Sequence, residues 1–414
     1  MHPLQGLRVI DISKVLAGPL CGQSLGELGA EVIKVEPTGS GDDTRAWLPQ
    51  KAGLSATFLS VNHNKKSLAI DLKHPEGVEL VRRLIDQSDV FIQNFRPSIA
   101  EKVGLDYATL KARNPRLVYA SASAFGAIGP ESTARAYDLL GQARSGFLLR
   151  TGHTDEPDTP DGGMADQMGA IMLAYGVMAG LMAVERHGVG QKIDTSLLGS
   201  MMWLRGLPVV LELMKQDGQR AVSPMGKHIK AKVPTRLDPG NPLWNTFKCG
   251  SDAEGDGKWL ALACVTTDPH WPVVMKALGN PPQLADPAKY GDHWSRCTHA
   301  REATEVLDAI FAAQPREYWL ERLVGKNDLP VCAINTTEEA ANDPQAILNG
   351  YVTTLKHPSY GDIRLPGFPV ALSETPARIH RQAPQFGEHT EEVLIEMLSL
   401  DWEEVTRLRD TGVI

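Results

Sequence analysis

Cysteine is scarce in this 414-residue sequence, and the five thiols (Cys21, Cys249, Cys264, Cys297, Cys332) include no Cys-x-x-Cys pair. An odd, scattered set excludes a disulfide scaffold and a zinc ribbon, both of which need paired or regular spacing. Basic blocks are missing as well. With 42 Lys and Arg against 50 Asp and Glu, the formal charge is −8. A nucleic-acid partner is therefore not expected, because phosphate binding needs a concentrated cationic face. The first residues carry no charged stretch followed by an apolar one, so the sequence reads as that of a cytoplasmic protein with free thiols.

Several nucleotide and nucleophile signatures are absent too. The turn after the first apolar run, Ser13-Lys-Val-Leu-Ala-Gly18-Pro19, lacks Gly-x-Gly-x-x-Gly, so a dinucleotide is not expected there. Glu36 stands where a ribose-binding acid would fall, but a solvated strand end is the plainer expectation. No Gly-x-Ser-x-Gly elbow occurs. The Gly152–Gly163 segment lacks the Lys-Ser/Thr ending of a phosphate loop. His293, Cys297 and His299 are close in sequence, yet no second cluster completes a metal site, and none is expected.

What remains is ordinary core-forming composition, 42% hydrophobic and 22% charged, with an alternating pattern at the start. Leu7–Ile12, Glu31–Val35, Ser67–Asp71, Asp89–Ile92 and Leu117–Ser121 read as strands, and Ala17–Leu28, Pro75–Asp86 and Asp106–Arg113 as helices between them. Strands alternating with helices imply a parallel sheet with helices on its faces. At ~150 residues per domain the length suggests two or three domains. The composition changes at the polar Lys215–Lys232 stretch and the Pro234–Pro242 connector. A Rossmann-like α/β large domain is expected over 1–215 plus 330–414, and a smaller α+β domain over 216–329.

One long apolar helix is predicted at Ala165–Arg186. Its 17-residue run Met168–Val184 has no charge, short of the ~20 apolar residues of a membrane span. A buried helix with a Gly176-Val-Met-Ala-Gly180 close-packing face is the expectation, and no membrane partner. Asp166 opens this helix after a loop bearing Asp155, Asp158 and Asp161. The plain reading is an N-cap. The chemical one is a carboxylate nucleophile kept ionised by helix N–H groups.

A resemblance along the chain favours the second. Leu4-Gln-Gly-Leu-Arg-Val-Ile-Asp11, Ala17-Gly-Pro19, Leu28-Gly-Ala-Glu-Val-Ile-Lys-Val-Glu-Pro37, Asn62-His-Asn-Lys-Lys-Ser67 and Gln93-Asn-Phe-Arg-Pro97 resemble a class III CoA transferase. So do Asn114-Pro-Arg-Leu-Val-Tyr119, Gly190-Gln-Lys-Ile-Asp-Thr-Ser-Leu197 and Gly387-Glu-His-Thr-Glu-Glu-Val-Leu394. Known members include formyl-CoA transferase and crotonobetainyl-CoA:carnitine CoA transferase. The resemblance implies CoA transfer from an acyl-CoA to a carboxylic acid, with Asp166 attacking the thioester and forming anhydride and aspartyl-CoA intermediates. It implies coenzyme A or acyl-CoA as co-substrate, no permanently bound cofactor, and an interlocked homodimer.

It also implies CoA contacts at Leu16 and Ala17, at Ile70, Asp71, Leu72 and Lys73, at Asn94, Phe95, Arg96 and Lys102, and at Arg135, Ala136, Tyr137 and Asp138. Leu16 replaces the active-site glutamine of formyl-CoA transferase, Pro37 its adenine-side arginine, and Arg236–Trp244 its glycine-rich flap. These departures imply a substrate other than oxalate or formyl-CoA. Related racemases carry a proton-shuttling His where this chain has Tyr137, whose phenol, with an ordinary pKa of about 10, is a poor base near neutrality. A racemase or isomerase acting on a CoA ester, and a non-catalytic acyl-CoA binder, are the other expectations.

Overall fold

The computed structural model describes residues 1–51, 53–151, 156–160, 162–214, 235–252, 255–358 and 361–414. Asp155, Asp161 and the polar Lys215–Lys232 stretch lie outside the described residues. The chain divides into two compact units, Met1–Asp217 with Leu348–Ile414, and Gly218–Ile347.

The first unit is built on six parallel strands: β1 (Arg8–Asp11), β2 (Glu31–Glu36), β3 (Lys65–Ala69), β4 (Val90–Gln93), β5 (Val118–Ser123) and β6 (Lys192–Ser196). Their order is β3-β2-β1-β4-β5-β6, with Val9 opposite both Val32 and Val90. The chain runs outward from β1 to β3, then returns to the other side of β1 and runs outward again. Loops leaving β1 and β4 therefore diverge, opening a crevice at the carboxyl ends of the strands.

Alternation along the strands divides the core. Ile10, Ile33, Leu68, Phe91 and Tyr119 face helix α2 (Pro75–Asp86) and the C-terminal helices Thr390–Leu398 and Trp402–Asp410. Val9, Val32, Val90, Ile92 and Val118 face α1 (Ala17–Glu27) and the long helix, whose Leu173 and Val177 are fully buried. With both faces covered, consecutive positions are apolar at Val9-Ile10 in β1, Val32-Ile33 in β2 and Val90-Phe91-Ile92 in β4. Helix α2 forms where its signals coincide: His74 caps Glu76 N–H, Pro75 opens the helix, and Val78, Val81, Leu84 and Ile85 make one buried stripe.

Two more helices shape the crevice, α3 (Asp138–Arg144) and α4 (Met164–His187), with α5 (Leu197–Leu204) packed on α4. Glycines bring α4 close to the sheet: a Cβ on Gly176 would stand 2.5 Å from Ile193 Cγ2, and one on Gly180 2.9 Å from Val118 Cγ1. Against the described residues α4 buries one face, the close-packing face expected of it, while Ile171, Tyr175 and Met182 are 59%, 71% and 51% exposed. Alone among the described helices, α4 is long and apolar enough to cross a membrane by length and composition.

The second unit carries an antiparallel sheet, β9-β8-β7, from β7 (Trp244–Lys248), β8 (Trp259–Ala263) and β9 (Val331–Ile334). Helices Trp271–Ala277 and Ala300–Phe311 close its core around Phe247, Leu260, Val274, Leu307 and Phe311. Residues 330–347, expected with the first unit, belong here, because β9 completes this sheet by pairing with β8.

Candidate active site

A cleft of about 340 Å³ opens at the crevice between β1 and β4. Its walls come from the loops after β1 (Lys14, Val15, Leu16, Ala17) and β4 (Asn94, Phe95, Arg96), the end of β5 (Ala122, Ser123), the segment Ser132–Tyr137, Asp43, Asp166 and Leu197. The two central loops are stitched together: Asn94 Oδ1 accepts from Lys14 N–H at 3.0 Å, and Asn94 Nδ2 donates to Lys14 O at 2.7 Å. Val15 takes φ +71°, where a β-branched residue is strained by about 1–3 kcal/mol. Its N–H donates to Asp42 Oδ1 at 3.4 Å.

The floor that holds this loop is ionic and dry. Lys65 Nζ donates to Asp11 Oδ2 at 2.9 Å, Pro19 O at 2.7 Å and Asn62 Oδ1 at 2.9 Å. Lys34 Nζ pairs with Asp42 Oδ2 at 2.8 Å and donates to Ser13 O at 2.9 Å. Asp11 Oδ1 receives both Ser13 N–H and the Ser13 hydroxyl. All four charged side chains have no solvent exposure. Burial would raise the Asp11 carboxyl, but Lys65 and Lys34 hold it below its usual range. Burial lowers Lys65, against the opposing pull of Asp11, to about 8.

Glu36 belongs to the same floor, which corrects the solvated strand end expected for it. It is 1% exposed and grips Arg45 at 2.7 and 2.6 Å, the Ser67 hydroxyl at 2.7 Å and Asp42 N–H at 2.9 Å. Among the described residues its carboxylate is occupied by these partners, so it is not held open for a ribose.

Asp166 sits in the first turn of α4, on the cleft wall, at 9% exposure. It is not the N-cap. Gly163 holds that place at φ +95° without a side chain to offer. The helix N–H groups go instead to Asp138, whose Oδ1 accepts from Ala165 N at 2.6 Å and Asp166 N at 3.1 Å. Asp166's own carboxylate accepts no hydrogen bond from the described residues, contrary to the expectation that helix donors keep it ionised. Burial and the Asp138 charge push its pKa up from 3.8 to about 7.

Of the other anticipated residues, Leu16, Ala17, Asn94, Phe95, Arg96, Arg135, Ala136 and Tyr137 line the same cleft. Asp138 stands behind the wall, capping α4. Ile70, Asp71, Leu72 and Lys73 follow β3 and do not line it: Ile70 is fully buried, Leu72 packs on the core, and Asp71 Oδ1 accepts Lys73 N–H. Lys102 is exposed on helix Pro97–Val103. From β4 to β3 is three strand spacings, roughly 14 Å at ~4.8 Å each. Lys14, Val15, Asp43, Ser123 and Leu197 escaped the sequence, though Lys14 and Val15 adjoin a flagged pair.

Among the described residues no group of three or more His, Cys, Asp and Glu could hold a metal. His293 Nδ1 receives Thr267 N–H, and His299 Nδ1 donates to Ser295 O.

A doubly wound sheet with a buried carboxylate on the wall of its switch-point crevice defines an α/β protein with a ligand-sized cleft at the carboxyl ends of its strands. Comparison with known proteins makes this specific. The family model for CoA-transferase family III matches residues 4–390. A mouse succinyl-CoA:glutarate CoA-transferase is 35% identical over 100% of this chain and 91% of its own length. A succinate–glutarate CoA-transferase of Agrobacterium fabrum is 34% identical over 96% of each. The crystal structure of a CAIB/BAIF family protein from Brucella suis superposes with a TM-score of 0.79 at 29% identity, covering 96% of this chain and 99% of that one. The chain belongs to CoA-transferase family III. It is an enzyme of the CoA-transferase type, with CoA thioesters as co-substrates.

Proposed function

We propose that this enzyme moves CoA from a succinyl thioester to a short dicarboxylic acid such as glutarate, with Asp166 as nucleophile. The observation that carries the mechanism is the Asp166 carboxylate, buried on the wall of the cleft and free of hydrogen bonds from the described residues. Similarity to succinyl-CoA:glutarate and succinate–glutarate transferases supports the substrate class.

A carboxylate oxygen of Asp166 attacks the thioester carbonyl carbon. The C–S bond breaks, leaving CoA thiolate and a mixed anhydride. Thiolate attacks the aspartyl carbonyl of that anhydride, the donor acid departs as carboxylate, and an aspartyl-CoA thioester remains. The acceptor carboxylate then attacks the aspartyl thioester and releases thiolate, which takes the new acyl group and restores Asp166. Charge and protons balance without ATP or a metal, and each displacement is an easier half of a hard exchange. Arg96, Lys14 and Arg135 supply cations in the cleft for phosphate or carboxylate oxygens. The uncapped first turn of α1, at Leu16 and Ala17, adds a positive helix end. An extended CoA lying along the carboxyl edge of the sheet would reach residues 70–73.

The working form is a homodimer. Tyr175 on α4, Trp203 on α5 and Leu207 and Met214 beyond it are 71%, 67%, 74% and 71% exposed. An apolar face of that extent calls for a cover, and a second copy supplies it. Incubating enzyme with succinyl-CoA and a panel of acids in deuterated water, with thioesters read by mass spectrometry, tests the activity. A thioester of glutaryl mass, lost in Asp166→Ala, supports it. Deuterium entering unchanged acyl-CoA with no new thioester would establish a racemase or isomerase instead.

A further inference from the structure

We propose that Asp138 is a positioning residue for this reaction: it grips the first turn of α4 and fixes a negative charge beside the Asp166 nucleophile. The proposal rests on Asp166 acting as proposed above, and it gives Asp138 a task other than contacting CoA.

The geometry is specific. Helix α4 begins at a glycine, so its own chain offers no cap. Asp138 comes in from 28 residues upstream, and one oxygen accepts both Ala165 and Asp166 N–H. Its second oxygen accepts Gln142 Nε2 at 2.5 Å. Gln142 is fully buried, and its Oε1 has no hydrogen-bond partner among the described residues. Asp138 is thus fixed from both sides, and it in turn fixes the backbone that carries the nucleophile.

The electrostatic consequence follows. A helix N-terminus ordinarily favours a nearby carboxylate. Here the first N–H groups are spent on Asp138, so Asp166 gains a like charge and no donors. The other charged groups facing the cleft are Lys14, Asp43, Arg96 and Arg135. Of all these, Asp138 is the one whose charge raises Asp166, adding to the effect of burial. A carboxylate held less acidic than usual is a stronger nucleophile once ionised, and it leaves less readily as the anhydride partner.

Asp138→Asn separates the two effects. Asparagine keeps an acceptor oxygen for the two N–H groups, and its amide can donate to a rotated Gln142, satisfying the orphaned oxygen. The charge alone is lost. The pH profile of kcat/KM for wild type, Asp138→Asn and Asp138→Ala, with succinyl-CoA and glutarate, is the test. The midpoint in Asp138→Asn is expected to move acidward by about half a unit to one unit. At high pH its kcat should recover most of the ~10–100-fold loss expected in Asp138→Ala. An unmoved midpoint in Asp138→Asn overturns the proposal, as does a loss confined to KM for the thioester. Asp166→Ala run alongside keeps the readings apart: if it stays active, the nucleophile assignment fails whatever Asp138 does. Should Asp138→Ala not fold, the Asn profile still decides.

Discussion

Burying Asp166 has a thermodynamic cost that replacement should reveal. In the folded chain its pKa rises from 3.8 to about 7, so between those values the native state holds a proton that the unfolded chain has released. Stability contributed by that proton is complete below pH 3.8, drains away as pH climbs to about 7 and is gone above it. At about 1.4 kcal/mol per unit, the ionised form costs roughly 4 kcal/mol above pH 7 relative to a neutral side chain. Asp166→Asn keeps shape and removes the charge. Urea unfolding should find the variant more stable than wild type by roughly 3–4 kcal/mol at pH 8 and by only ~1–2 kcal/mol at pH 5. The variant should be inactive in CoA transfer. If the difference is equal at the two pH values, or if Asn destabilises at pH 8, Asp166 is not the strained carboxylate described.

The same group should govern activity: kcat/KM for succinyl-CoA is expected to rise with pH through about 7, read from initial rates between pH 5 and 9. Lys65→Met strands Asp11 in the dry floor. It should cost about 3–5 kcal/mol in denaturant unfolding, whereas restoring neutrality with Asp11→Asn alongside should return part of that. Arg96→Ala should raise KM for the thioester ~10-fold with kcat little changed, as loss of uniform binding does. If the proposed homodimer uses the exposed apolar face, Leu207→Glu should shift sedimentation toward monomer; a wild-type monomer, or a dimer unchanged in the variant, refutes that interface.

The parts of the fold legible in the sequence are those set by local pattern. Strands β1, β2 and β4 are covered on both faces, so each shows adjacent apolar residues at its centre, and α2 carries cap, proline and stripe within a few residues. The hidden parts depend on partners far along the chain. Lys65 finds Asp11 across 54 residues, and no spacing rule marks Lys34 or Glu36 as buried. Asp166 was legible as a helix-opening carboxylate, but its cap lies 28 residues upstream, so the donors assigned to it were not its own. Hydropathy found α4 without separating the face buried in this chain from the face left exposed by the described residues. Strand β9 looked like part of the first unit because only its pairing with β8 places it.

The site holds two populations of charge that answer differently to ionic strength. Lys34, Asp42, Lys65 and Asp11 lie where no counter-ion reaches, so the loop they anchor should keep its shape from dilute buffer to molar salt. The exposed guanidinium groups of Arg96 and Arg135 lie in solvent, where a Debye length of about 8 Å at physiological strength screens them. Salt therefore becomes a dial on thioester capture that leaves the scaffold untouched: KM should climb with added chloride while the unfolding midpoint of the floor stays put.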